Sequence, residues 1–173
     1  TEDSGLTSSK PTHYLPNEGR MLANIIAGIN KALQIHPESE YTLIVSSDIP
    51  AIHPEMVDWL IGEIEKEPAD IYYGIVSKDI MEKSFPGSKR TWTHLKDMDV
   101  CGADMNAVHV SMATEHLDTW ENLIGKRKSP LKQAAMIGID TLFLLLLRRL
   151  SLAEIIKRVS SRIGIRGKAI IWN

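Results

Sequence analysis

Apolar residues return every three or four positions between Gly19 and Gln34, at Met21, Leu22, Ile25, Ile26, Ile29 and Leu33. That is the spacing of one helical face, and it predicts a helix there. The period then changes. Tyr41 to Ser47 (YTLIVSS) is a short, nearly continuous β-rich run, the pattern of a strand covered on both faces, and it ends at Asp48. Pro54 opens a second helix at its first turn, where a missing N–H costs nothing, and Met56, Val57, Leu60, Ile61 and Ile64 line its inner side as far as Pro68. Asp70 to Ser77 (DIYYGIVS) reads as another buried strand. Helix, strand, helix, strand in this order predicts parallel α/β architecture with right-handed crossovers.

After the loop Phe85 to Ser88, the segment Arg90 to Leu95 alternates polar and apolar residues and pairs across a Lys96 to Asp99 turn with Val100 to Val110, a β-hairpin. Helices follow over Met112 to Ile124, over Ser129 to Leu147 with a weak point at Gly138, and over Ser151 to Ile163. In the last, Ser151 and Glu154 have capping-box spacing and Gly164 supplies the stop. Ala169 to Trp172 is a final short strand. Residues 1–18 have no period and read as an irregular leading segment, while residues 111–164 form a helical C-terminal subregion. The fold class expected is a single α/β domain, a three-layer sandwich with a mostly parallel sheet, a hairpin and a helical C-terminal region.

With 173 residues, 43% hydrophobic and 24% charged, the chain has the composition of one soluble domain. Cys101 is the single cysteine and no secretory apolar segment opens the chain, which together point to a reducing, cytoplasmic setting. Charge is lopsided: residues 1–124 hold 9 Lys/Arg against 20 Asp/Glu, and residues 125–173 hold 11 against 2. A basic C-terminal third suits nucleic acid, an anionic membrane or an anionic substrate. Lys157 and Arg158, however, interleave with Leu152, Ile155, Ile156 and Val159 at helical spacing, so the expectation is a helical cap on an acidic body, with no nucleic acid bound. The longest apolar run, Thr141 to Leu147, is far short of the roughly 20 residues of a membrane span; it reads as a buried or an interfacial helix, with burial favoured because Leu-rich runs of this length are mostly core.

Two carboxylates stand out. Asp48, in Asp48-Ile49-Pro50, follows the most hydrophobic strand, and open α/β sheets bind ligands beyond the carboxyl ends of their strands. Asp104 lies in Cys101-Gly102-Ala103-Asp104-Met105-Asn106, where Gly102 and Ala103 let the backbone pass close to a ligand. Two such oxygens suit a Mg²⁺ that takes the rest of its shell from water and phosphates. Turn formation at Asp48 and a β-bulge at Asp104 are the plain alternatives. Lys89 and Arg90 are placed to meet a phosphate, and Arg20 and Asn24 lie at the start of the first helix, whose free N–H groups suit an anion. Cys101 has no histidine in a fixed sequence relation, and no C-x-x-C, H-E-x-x-H or G-x-S-x-G motif occurs.

The string Leu43 to Pro54 (LIVSSDIPAIHP), the DIYYGIV strand, FPGSKRTW, the CGADMN turn and KSPLKQAAMIGID together resemble a MobA-like NTP transferase of the nucleotidyltransferase (GT-A, nucleotide-diphospho-sugar transferase) fold, from about Gly19 onward. The resemblance implies a Mg²⁺-dependent enzyme that moves a nucleotidyl group from an NTP to a phosphorylated small molecule, with Asp48 and Asp104 as metal ligands and catalytic residues. It implies Lys89, Arg90, Gly102, Ala103, Arg20 and Asn24 as substrate-binding positions. A metal-dependent nucleotide-sugar glycosyltransferase and a non-catalytic nucleotide-binding or regulatory domain are the alternatives. The family's L-A-G-G-x-x-x-R phosphate loop has no counterpart before Gly19, so the chain looks like a partial domain, with little NTP turnover expected of it alone. Where the family has G-G-N, this sequence has Gly102-Ala103-Asp104, which puts a second negative charge at the metal.

Overall fold

The computed structural model describes residues 8–46, 52–118, 120–121 and 138–172. The chain divides into two compact units, residues 1–39 and 40–173. In the first, helix α1 spans Met21–Ile35. Its entrance is tied by Asn24, whose Oδ1 accepts the Glu18 N–H at 2.7 Å and whose Nδ2 donates to Asn17 Oδ1 at 3.2 Å. Ile29, central in the predicted apolar stripe, is buried, while Met21 and Ile35 at the ends are exposed.

The second unit runs β1 (Tyr41–Val45), α2 (Pro54–Lys66), β2 (Ile71–Ser77), α3 (Lys78–Ser84), β3 (Thr93–His94), β4 (Asp99–His109), α4 (Ser111–Thr114), α5 (Ile139–Leu146), α6 (Leu152–Ile163) and β5 (Gly167–Trp172). The strands lie in the order β1-β4-β2-β5, with β3 on β4. Only β2 and β5 pair in parallel; β4 is antiparallel to β1, β2 and β3. The sheet is therefore mixed, which corrects the expectation of a mostly parallel one. β1 and β2 do run the same way around α2, but β4 lies between them, and periodicity along a chain says nothing about which strands become neighbours. β4 lies between β1 and β2 and also pairs with β3; it is long enough for all three and carries buried residues on both faces.

The predicted hairpin is present with a short first arm, since only Thr93 and His94 pair, against Val100 and Asp99. α3 went unforeseen, although Ser77 is an N-cap whose hydroxyl accepts the Ile80 N–H. Of the helix expected over 112–124, α4 forms and breaks at Glu115, and helix resumes at Leu117, Asp118, Trp120 and Glu121; residues 119 and 122–124 lie outside the described residues. The helix expected over 129–147 is described only from Gly138, where φ is +97° and α5 begins. α6 has the predicted capping box and ends on Gly164 in the left-handed conformation.

Alternate strand residues divide the core. Tyr72, Met105, Ala107 and Ile170 pack with Leu60 and with Met56, Val57, Trp59 and Ile64 of α2. Ile75 and Val100 pack instead with Leu145 of α5, with Leu152 and Ile155 of α6, and with Ala169 and Ile171. Ile61, expected on the inner side of α2, is 46% exposed. Trp59 takes the inner place, edge-on to Trp172 at 5.0 Å. Burial pushes the Tyr72 phenol up to about 12, and its hydroxyl accepts the Ala69 N–H and donates to Glu67 O, so this core tyrosine also ties down the end of α2.

Asp70 joins three strands. Its carboxylate accepts the Arg166 backbone N–H at 2.6 Å and Nη2 at 2.8 Å, and its carbonyl accepts the His109 N–H. Burial pushes this carboxyl up, but the hydrogen bonds and charge of Arg166 outweigh it and hold the group below its ordinary value.

Candidate functional site around Asp104

Asp104 occupies a bulge in β4. Tyr73 pairs with Asn106 and Ile75 with Gly102, so Ala103, Asp104 and Met105 face Gly74 alone. Asp104 has φ +58°, a left-handed conformation that few residues other than glycine adopt without cost. Two devices hold it. On the β1 side Val45 stays in register with Met105, and the Ser46 N–H donates to Asp104 O at 3.0 Å. On the β2 side Asn106 reaches across with Oδ1 to accept the Gly74 N–H at 3.1 Å, replacing a ladder bond that the bulge removes. A Cβ on Gly74 would stand 2.2 Å from Met105 O, so only glycine fits opposite the bulge.

The bulge turns the Asp104 side chain outward, where Arg90 Nη1 meets Oδ2 at 3.0 Å. Both side chains are 43% exposed, so the pair is solvated and open to exchange for another partner. Lys89 is exposed beside Arg90. Cys101 is buried against Val76 and Met81, and burial first, then Asp104, pushes its thiol up against the opposing pull of Arg90. A thiol held protonated in this way is a poor nucleophile.

Arg90, Gly102, Ala103 and Asp104 thus come together around the bulge, although Gly102 and Ala103 mainly serve its packing. The Tyr73 hydroxyl lies over Gly102, and Ala103 lines a small apolar cavity with Trp59, Gly74 and Trp172. Arg20 and Asn24 belong to the first unit, where Asn24 secures the start of α1. Asp48 lies outside the described residues. Two residues that sequence reasoning missed, Gly74 and Asn106, build the bulge. The glycine inside DIYYGIV was the available signal, since a glycine within a strand marks a bulge or a close approach.

Among the described residues no group of three or more His, Cys, Asp or Glu side chains is arranged to hold a metal. Asp104 by itself offers one carboxylate. It suits a Mg²⁺ only as one leg of a site completed by a second carboxylate and by substrate oxygens. No described helix is long and apolar enough to cross a membrane.

No protein-family model matches the chain, and no curated protein matches it in sequence. Among solved structures, the chain is similar to a hypothetical transferase from Thermus thermophilus, with a TM-score of 0.85 and 29% identity. The likeness covers 99% of this chain and 70% of that one, so the bulged β4 and its neighbours belong to a fold shared with a hypothetical transferase.

Proposed function

We propose that the protein is a nucleotidyltransferase, moving a nucleotidyl group from an NTP to a phosphorylated small molecule with release of pyrophosphate. The observation that carries the reading is Asp104, a carboxylate held in a left-handed bulge and turned to solvent beside a guanidinium, in a fold shared with a hypothetical transferase. Strain of this kind persists where the surroundings enforce it, and it clusters at functional sites. The resemblance of SSDIP to the family's metal-binding element adds Asp48. Ser46, two residues before Asp48 in the sequence, donates its N–H to Asp104 O.

In this reading Asp48 and Asp104 would hold Mg²⁺ together with substrate oxygens. A bound Mg²⁺ would neutralise phosphate charge and orient the pyrophosphate leaving group. Arg90 leaves Asp104 to grip the acceptor phosphate with Lys89, fixing its oxygen for in-line attack on the α-phosphorus. The new P–O bond forms as the bond to pyrophosphate breaks, and no covalent enzyme intermediate is needed.

The test is pyrophosphate release by the full-length protein with each NTP, Mg²⁺ and a panel of sugar phosphates. Asp104→Asn should lower turnover at least about 100-fold while leaving the melting temperature unchanged. Wild-type turnover in the Asn variant would refute the role of Asp104. Cleavage of nucleotide sugars in place of NTP would make the protein a glycosyltransferase.

A further inference from the structure

The two partners of the Arg90–Asp104 pair are held in unequal ways. Asp104 stands within β4, its backbone fixed by the Ser46 N–H and by the bulge, so its carboxylate has little room to shift. Arg90 lies in the irregular, exposed segment between α3 and β3. That segment turns at Gly87, where φ is +76°, and closes with the Ser88 N–H on Phe85 O at 3.2 Å. Of the two partners, Arg90 is the one that can leave.

The segment also has a hydrogen bond to gain by moving. Ser88 Oγ is shut off from solvent and has no partner among the described residues, a polar atom left unmet while Arg90 holds Asp104. Ser88, Lys89 and Arg90 follow one another, so a small turn of the segment would offer a phosphate monoester one hydroxyl and two cations.

Two competitions meet at this one contact. A phosphate and Asp104 compete for the guanidinium, and a divalent cation and Arg90 compete for the carboxylate. Either ligand arriving first has to break the pair, and the second finds it already broken. We propose that the Arg90–Asp104 pair is a latch that makes the site bind a phosphate monoester and a divalent cation cooperatively and each alone more weakly. The proposal rests on the reading of Asp104 as a cation ligand. Linkage is reciprocal, so each ligand strengthens the other by the same factor. An ion pair this exposed limits that factor to about fivefold.

The experiment titrates the full-length protein with Mn²⁺, read by electron paramagnetic resonance, with and without methyl phosphate. Methyl phosphate should tighten Mn²⁺ binding about threefold, and Mn²⁺ should tighten methyl phosphate, read by calorimetry, by the same factor. Arg90→Gln should tighten the binding of Mn²⁺ alone, again about threefold, and abolish the cooperativity. Lys89→Gln removes the neighbouring charge but keeps the pair, so it should weaken methyl phosphate and leave the affinity for Mn²⁺ alone as in the wild type. Both positions are exposed, so both variants should melt as the wild type does. No cooperativity in the wild type, cooperativity of wild-type size in Arg90→Gln, or Mn²⁺ binding tightened equally by both variants would overturn the latch and leave Asp104 as a cation ligand. Mn²⁺ binding that Asp104→Asn does not weaken, or no Mn²⁺ binding at all, would overturn that ligand role and the latch together.

Discussion

Asp70, where β2 and β5 begin, and Asp104, just beyond the end of β1, each meet an arginine, and the fold treats them in opposite ways. Asp70 is 16% exposed in its side chain and accepts both a main-chain N–H and the guanidinium of Arg166. Asp104 is 43% exposed, takes a single contact from Arg90, and stands in a left-handed conformation. The first carboxylate is consumed by the fold. The second keeps acceptor capacity, and its backbone is held in place by Ser46 and a bulge. How far an aspartate's surroundings satisfy it thus sets what it has left to offer, and of two ion pairs of the same chemistry one is a clamp and the other a candidate site.

The largest expected effect tests what holds the bulge. Gly74→Ala would place a methyl against Met105 O and should cost about 3 kcal/mol, because backbone and not a flexible side chain must give way. Urea denaturation reads this, and a loss under 1 kcal/mol would mean that the bulge is free to shift.

Asp70→Ala should come next, costing about 2 kcal/mol for the lost charge-assisted hydrogen bonds to Arg166. Its pH dependence has a fixed sign. The folded carboxyl lies below its ordinary value, so its contribution is complete above the unfolded pKa of about 3.9 and is lost as pH falls through the folded value. The stability gap between wild type and Asp70→Asn should therefore be constant near neutrality and close only in acid. A gap that widened on acidification would contradict the clamp.

The smallest effect on stability belongs to Asp104→Gly. Relief of the left-handed strain of about 1–2 kcal/mol is offset by the entropy of glycine and by the lost exposed ion pair, leaving a net change within about 0.5 kcal/mol of zero. Pyrophosphate release should nevertheless be lost. A variant that unfolds easily would move Asp104 to the structural side of the comparison.

Much of this was legible in the chain because helical and strand periods are local properties. The stripe of α1, the Pro54 start of α2 and the Ser151–Glu154 box were read from neighbouring residues, and the structure has them. The candidate site was legible in part. Gly102-Ala103-Asp104 marked the place as a motif, while the roles of Gly74 and Asn106 appear only across the β2–β4 pairing, roughly thirty residues apart in sequence.

Local pattern was enough to locate α1, β1, α2, β2 and α6, since each depends on residues within a few positions of one another. Tertiary structure decided the rest. It inserted β4 between β1 and β2, gave Asp70 to the fold and left Asp104 exposed, and it covered one side of α5 while leaving Phe143 and Leu146 in water. Strand order, bulge geometry and the burial of a mostly apolar helix depend on which distant surfaces meet, and a local pattern is the same whether or not they do.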